Sequence, residues 1–226
     1  MAGELDGPRL EAKSGKANNV VVFLHGYGAD GNDLIDIGRA WQGLLPDTAF
    51  VSPHAPEPCG QAPVGKQWFP LFTRAQNERW EGVSKAGPGL EQFLDAELAR
   101  RKLPPSALAL VGFSQGTMMA LHVGLRRAQP LAGIIGFSGM LAAPESLAKE
   151  IRSRPPVLLL HGDSDEMLPH TLTERAAEVL RQHGVQTRMH IAAGVGHGID
   201  QTGLGHAARF LLEAFKLPMP QGTAGP

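Results

Sequence analysis

A serine hydroxyl becomes a nucleophile only where it is exposed, aimed, and beside a base that takes its proton. Ser114 has the surroundings for that role. It is the centre of Gly112-Phe113-Ser114-Gln115-Gly116, a G-x-S-x-G pattern. The apolar run 107–111 leads into it, and Thr117-Met118-Met119-Ala120-Leu121 follows. The run does not alternate, which predicts a strand covered on both faces. The residues after it form helices well, with no proline until Pro130. A G-x-S-x-G turn between strand and helix is a nucleophile elbow, with the serine at the tip of a strained turn. The helix that follows points its free N–H groups at the place where an oxyanion would form. The pattern alone also fits a glycine-rich turn of any α/β protein, so its neighbours must carry the argument.

Acyl transfer by serine needs a base and an acid residue to orient it, and in the order usual for such an elbow the acid follows the serine and the histidine comes last. After an expected strand at 157–160 come His161-Gly162-Asp163-Ser164-Asp165-Glu166-Met167-Leu168-Pro169; after another at 186–192 come Gly194-Val195-Gly196-His197-Gly198. Asp163 and Asp165 compete for the acid role. Asp165 is favoured, because a longer reach off the strand end lets its carboxylate turn back toward a histidine on the next loop. Asp163 is expected to cap the local turn and Glu166 to be solvated. Of the nine histidines, His183 and His190 read as solvated, His122 and His206 as structural, and His25 and His161 as holding loop backbone. His54 and His170 lie in loops without an evident partner. His197, between glycines after the last strand, is the expected base. Two N–H donors are needed for an oxyanion. Gln115, after the nucleophile, supplies one. Tyr27, in His25-Gly26-Tyr27-Gly28 after the first central strand, is the natural second, although a plain tight turn would read the same. Cys59 lies in a Pro/Gly loop, away from any elbow. No His/Cys/Asp cluster has metal-ligand spacing, so neither metal nor cofactor is expected.

These residues need a scaffold that brings several strand ends together. Strands are expected at 20–24, 48–52, 107–111, 131–137, 157–160 and, with an alternating pattern that suits a sheet edge, at 186–192. Helices are expected at about 32–44 (capped by Asn32 or Asp33), from Leu90 to Leu98, after Ser114, from a Thr171/Glu174 capping box to Gly184, and around Leu204, Ala208, Leu211 and Phe215. Strands and helices alternate, which makes the fold class α/β: a mostly parallel central sheet with helices on both faces and ligands beyond the carboxyl ends of the strands. Residues 1–18 are expected to be loosely ordered, with a short edge strand over 9–12, and 19–217 to form one domain with 218–226 as a tail. Residues 53–89 hold Pro53, Pro56, Pro58, Pro63, Pro70 and Pro88 together with Trp68, Phe69, Phe72 and Trp80. This reads as a loop excursion over the site whose aromatics line an apolar pocket or pack the loop down.

Net charge is −1, from 21 basic and 22 acidic residues without long runs of either sign. Nothing in it calls for nucleic acid or an anionic membrane. No apolar run reaches the length of a membrane span, and the first residues lack the basic and apolar regions of a signal peptide. The single cysteine fits a reducing compartment, so a cytoplasmic protein is expected, alone or as a homodimer.

Taken together, 24–31 (Leu-His-Gly-Tyr-Gly-Ala-Asp-Gly), 112–118, His161-Gly162-Asp163-Ser164-Asp165 with Leu168-Pro169, and Gly196-His197 resemble the phospholipase/carboxylesterase family, which includes the acyl-protein thioesterases. The resemblance runs from about Val20 to Phe215. It implies a compact α/β-hydrolase with a serine nucleophile acting on carboxylic esters or thioesters, Asp165 as the acid and the Tyr27 amide in the oxyanion hole. Members often carry leucine at the position of Tyr27, a change that a backbone donor tolerates. Trp68-Phe69 falls where the family often has Trp-Tyr or Trp-Phe near the pocket, and Leu168 is a further candidate for substrate contact. The expected activity is hydrolysis of small to medium esters. The alternatives are a thioesterase or lysophospholipase acting on long acyl chains, and a ligand-binding hydrolase fold without catalysis. The last would usually have lost one of Ser114, Asp165 and His197.

Overall fold

The computed structural model describes residues 5–60, 64–71, 73 and 76–219. Its strands are β1 (Arg9–Leu10), β2 (Asn19–Leu24), β3 (Thr48–Val51), β4 (Glu57–Pro58), β5 (Lys66–Gln67), β6 (Leu108–Phe113), β7 (Gly133–Phe137), β8 (Val157–Gly162) and β9 (Thr187–Ala192). Its helices are α1 (Asn32–Trp41), α2 (Gln76–Arg101), α3 (Gln115–Arg126), α4 (Leu147–Glu150), α5 (Thr171–Gln182) and α6 (Gln201–Ala214). Seven strands form one sheet in the order β1-β3-β2-β6-β7-β8-β9, parallel throughout except for β1, and β4 and β5 pair separately as a small antiparallel ribbon.

Central strands are apolar on both faces because both faces are covered. Val20, Val22 and Leu24 of β2 pack toward α2, α3 and α5, whereas Val21 and Phe23 pack toward α1 and α6. Helix α3 is the innermost, buried at nearly every position between the sheet and Leu90, Phe93, Leu94 and Leu98 of α2. The register sets Leu24 beside Gly112, Phe113 beside Phe137, Phe137 beside Leu160 and Gly162 beside Ala192. The loops after β2, β6, β7, β8 and β9 therefore leave from one end of the sheet, where the candidate residues lie.

Three expectations change. The start is not loose over its described part: β1 pairs with β3, Ser52 N donates to the Pro8 carbonyl and His54 N to that of Asp6, and Arg9 bonds buried Glu97. The excursion ends earlier than Gly89, because α2 starts at Gln76 and runs through Gly82, Gly87, Pro88 and Gly89. Close packing explains the tolerance: a Cβ on Gly82 would lie 2.3 Å from the Phe69 ring, so the glycine lets the helix seat against it. The Thr171/Glu174 capping box does not form; His170 takes the N-cap position, and Thr173 turns its hydroxyl inward. Phe72, Pro63 and residues 220–226 lie outside the described residues.

Candidate active site

The elbow is built from close contacts. Ser114 has φ 52° and ψ −113°, outside the comfortable region for a residue with a Cβ. Its N–H donates to the Phe137 carbonyl at 2.9 Å, and the amides of Thr117 and Met118 donate to its carbonyl at 3.0 and 3.3 Å. The Thr117 hydroxyl lies 2.9 Å from the carbonyls of Gly112 and Phe137. The motif glycines are a spatial necessity: a Cβ on Gly112 would stand 2.4 Å from the Gly116 carbonyl oxygen, and one on Gly116 1.8 Å from that of Leu24. Ser114 itself stays partly exposed while the start of α3 is buried.

Gln115 fastens the neighbouring loops to this elbow. Its side-chain oxygen accepts from Trp68 N at 2.9 Å and its amide nitrogen donates to the Phe69 carbonyl at 2.7 Å. Trp68 Nε1 donates to the His25 carbonyl at 2.9 Å. His25 donates from Nδ1 to the Gly26 carbonyl at 2.7 Å and accepts at Nε2 from Ala55 N at 3.0 Å. Burial holds that imidazole below its ordinary pKa despite the Gly26 bond, which suits a neutral ring holding loop backbone. Tyr27 is half-buried in the same turn, pinned by Gly28 N to the Lys66 carbonyl at 2.9 Å. A Cβ on Gly26 would lie 3.5 Å from that of Ser114, so the turn carrying Tyr27 abuts the serine. As the first residue of α3, Gln115 carries one of the amides that a helix cannot satisfy internally.

Asp165 and His197 meet. The Asp165 carboxylate, with no side-chain exposure, receives His197 Nδ1–H on Oδ2 at 2.7 Å. On Oδ1 it accepts the amides of Met167 and Leu168 at 2.8 and 2.9 Å. Burial alone would raise its pKa; the Leu168 amide, the His197 imidazole and the Met167 amide outweigh burial and hold the acid below the usual carboxylate range. The His197 ring packs on Phe113, the residue before Ser114, with centroids 5.0 Å apart. Asp163, expected to cap its local turn, instead bridges two loops. It is exposed, and its Oδ1 accepts from Ser164 Oγ at 2.8 Å and from Gly194 N at 2.7 Å, tying the Asp165 loop to the His197 loop. The Ser164 bond first, then the Gly194 bond, depress its pKa.

The model of the phospholipase/carboxylesterase family matches residues 5–214. The chain belongs to that family. A crystal structure of esterase PE8 is similar at 48% identity, with TM-score 0.91, over 94% of this chain and 100% of that one. Acyl-protein thioesterase 1 of Schizosaccharomyces pombe is 31% identical over 71% of this chain and 74% of its own. Esterase YpfH of Escherichia coli is 27% identical over 91% of this chain and 85% of its own. The protein is a hydrolase of the α/β-hydrolase fold that acts on esters.

Substrate contact is where the esterase departs most from expectation. Trp68 and Phe69 are 2% and 1% exposed, so they are core residues as much as lining. They border a cavity of about 670 Å³ with Leu5, Pro56, Gly82 and Leu90, and neither Ser114 nor His197 reaches it. Trp80 is elsewhere, edge-on to His122 and under the Arg126 guanidinium. Leu168 contributes backbone to the acid, and its side chain packs partly buried on the core. His54, which had no evident partner, accepts from Gly31 N at 3.0 Å at the start of α1. Ser138 escaped notice in the sequence. It holds φ 45°, donates from N to the Leu160 carbonyl at 2.8 Å and from Oγ to the Gly198 carbonyl at 3.1 Å, and so ties the end of β7 to the residue after His197. Among the described residues no three His, Cys, Asp or Glu side chains gather as a metal site would need, and no helix is long and apolar enough to cross a membrane.

Proposed function

We propose that the domain hydrolyses small to medium carboxylic esters through an acyl-enzyme. Ser114 Oγ attacks the ester carbonyl as its proton passes to Nε2 of His197, and the carbonyl oxygen becomes an oxyanion held by the amides of Tyr27 and Gln115. The tetrahedral adduct expels the alcohol, which takes the proton back from His197. Water then attacks the Ser114 ester in the same way, its proton passing to His197 and from there to the departing Ser114 Oγ as the acid is released. Asp165 fixes the imidazole in the Nδ1–H tautomer and stabilises its transient cation. One observation carries this reading: His197 donates Nδ1–H to a buried, ionised Asp165 at 2.7 Å, which leaves Nε2 as the basic nitrogen.

Two features support the short-ester preference. Trp68 and Phe69 are packed in, and the cavity beside them does not include Ser114. The near-neutral charge suits a small-molecule substrate, and a buried free thiol at Cys59 suits the cytoplasm. A second reading, long acyl chains or thioesters, is favoured by the relative named acyl-protein thioesterase 1. Turnover of p-nitrophenyl acetate, butyrate and palmitate, with Ser114→Ala alongside, decides. The proposal expects acetate and butyrate to be cleaved and Ser114→Ala to be inactive. Preference for palmitate would install the second reading, and absence of turnover on all three would point to a non-catalytic binding fold.

A further inference from the structure

The acid has a second histidine. His161, the last residue but one of β8, directs Nε2 at Oδ2 of Asp165, 2.9 Å away, the same oxygen that receives His197. Its Nε2 is also 2.9 Å from the Leu168 carbonyl. Both are acceptors, so Nε2 carries the hydrogen, and burial, outweighing the Leu168 and Asp165 contacts, keeps the ring below its ordinary pKa and neutral near pH 7. The other nitrogen, Nδ1, faces the Thr173 hydroxyl at 2.6 Å, and that hydroxyl is 2.7 Å from the Gly139 carbonyl. A line of contacts thus runs from the loop after β7 through Thr173 of α5 and His161 of β8 to Asp165 and His197. With it, all lone-pair directions of the acid are taken: Met167 and Leu168 amides on Oδ1, His161 and His197 on Oδ2.

We infer that His161 is a positioning residue for the hydrolysis, a second imidazole donor that sets where Oδ2 points and how much of its charge is left to His197. The inference rests on the reading of Ser114, Asp165 and His197 given above. A carboxylate that gives part of its charge to a second donor pulls less on the first. Removing that donor leaves the whole of Oδ2 to His197 and strengthens its pull on the imidazolium that forms during turnover. The groups that face His161 are few. Asp165 is on its own loop and His197 comes from the loop after β9. The Gly139 carbonyl closes the β7 side, and α5 offers only the neutral Thr173, since His170 and Glu174 at its start pair with each other at 3.8 Å.

The test is the pH profile of kcat/KM on p-nitrophenyl butyrate, with active sites counted by a serine-directed phosphonate and folding checked by circular dichroism. In His161→Leu the acidic limb should move up and kcat per active site should fall about tenfold, with KM unchanged. His161→Gln, whose amide nitrogen can stand where Nε2 stands, should return the limb to the wild-type position. If His161→Leu does not fold, Thr173→Val takes its place. It frees Nδ1, loosens the ring, and should give a smaller shift of the same sign. A limb and kcat unchanged in whichever of the two variants folds, with only thermal stability lowered, would overturn the inference and leave His161 a core histidine. Turnover that survives Ser114→Ala would instead overturn the reading beneath it.

Discussion

Asp165→Asn keeps shape and volume and changes one atom's hydrogen-bonding character, so its consequence can be worked out from contacts. Oδ1 accepts two backbone amides at 2.8 and 2.9 Å, so the asparagine oxygen must take that side. The NH2 group then faces His161 Nε2 and His197 Nδ1, which stand 2.9 and 2.7 Å from the oxygen it replaces. Donor meets donor at both. A hydrogen bond to a charged group contributes about 1.5–3 kcal/mol. His197 loses that, and it avoids the clash by moving its hydrogen to Nε2, the nitrogen that in the proposed mechanism must be bare to accept the Ser114 proton. Lost bond and inverted tautomer together raise the barrier by about 4–5.5 kcal/mol, or roughly 10³–10⁴ in kcat, the scale seen for the same change in a serine protease triad. KM should hardly move, since Asp165 is buried and away from substrate. Stopped-flow or steady-state kcat on p-nitrophenyl acetate, normalised to titrated active sites, measures it. A loss of less than tenfold would refute the tautomer argument and with it the assignment of Asp165.

Gly116→Ala would set a Cβ 1.8 Å from the Leu24 carbonyl oxygen, backbone of a central strand that cannot retreat; a loss of about 3 kcal/mol or more, or no folded protein, is expected in urea unfolding. A folded Gly116→Ala with wild-type stability would contradict the close approach. Gln115→Ala keeps the backbone amide proposed for the oxyanion but drops two buried bonds to the 68–69 segment, so stability should fall by about 2–4 kcal/mol while Ser114 still reacts with a phosphonate; an unchanged unfolding midpoint would count against it. His122 packs under Trp80 with its pKa pushed down to about 3, by burial first and Arg126 second. The unfolded chain therefore binds a proton below about pH 6.5 that the folded chain refuses until about pH 3, and stability falls with pH across that window. His122→Leu should lose less stability than wild type between pH 7 and pH 4.5. Parallel losses would show that His122 is solvated.

The elbow could be read from the sequence because its demands are local. Gly112 and Gly116 leave room that no other residue leaves, and an unbroken apolar run before and helix formers after them fix the strand and the helix. That Asp165 rather than Asp163 meets His197 could be read from its reach off the strand end. The N-terminal half of α2 was not, because Gly82, Gly87, Pro88 and Gly89 argue locally against a helix. What holds it is distant in the chain: Phe69 against Gly82, His122 against Gly87, and Val83 and Leu90 in the core. The cap of α5 failed for a similar reason. Thr173 turns its hydroxyl to the Gly139 carbonyl and to His161 Nδ1, tertiary contacts that no capping rule anticipates. His161 and Ser138 carried no signal as site residues for the same cause, since their partners lie on other loops and meet only once the sheet has brought the strand ends into register.

The account turns on Ser114 forming a covalent bond. Incubation with a fluorophosphonate, digestion and mass spectrometry of the peptides measures this directly. The predicted result is one phosphonyl adduct per chain, on Ser114, formed quickly in the wild type, slowly in Asp165→Asn and absent in Ser114→Ala. An adduct on another residue, or none while the protein still turns over esters, would contradict the central claim.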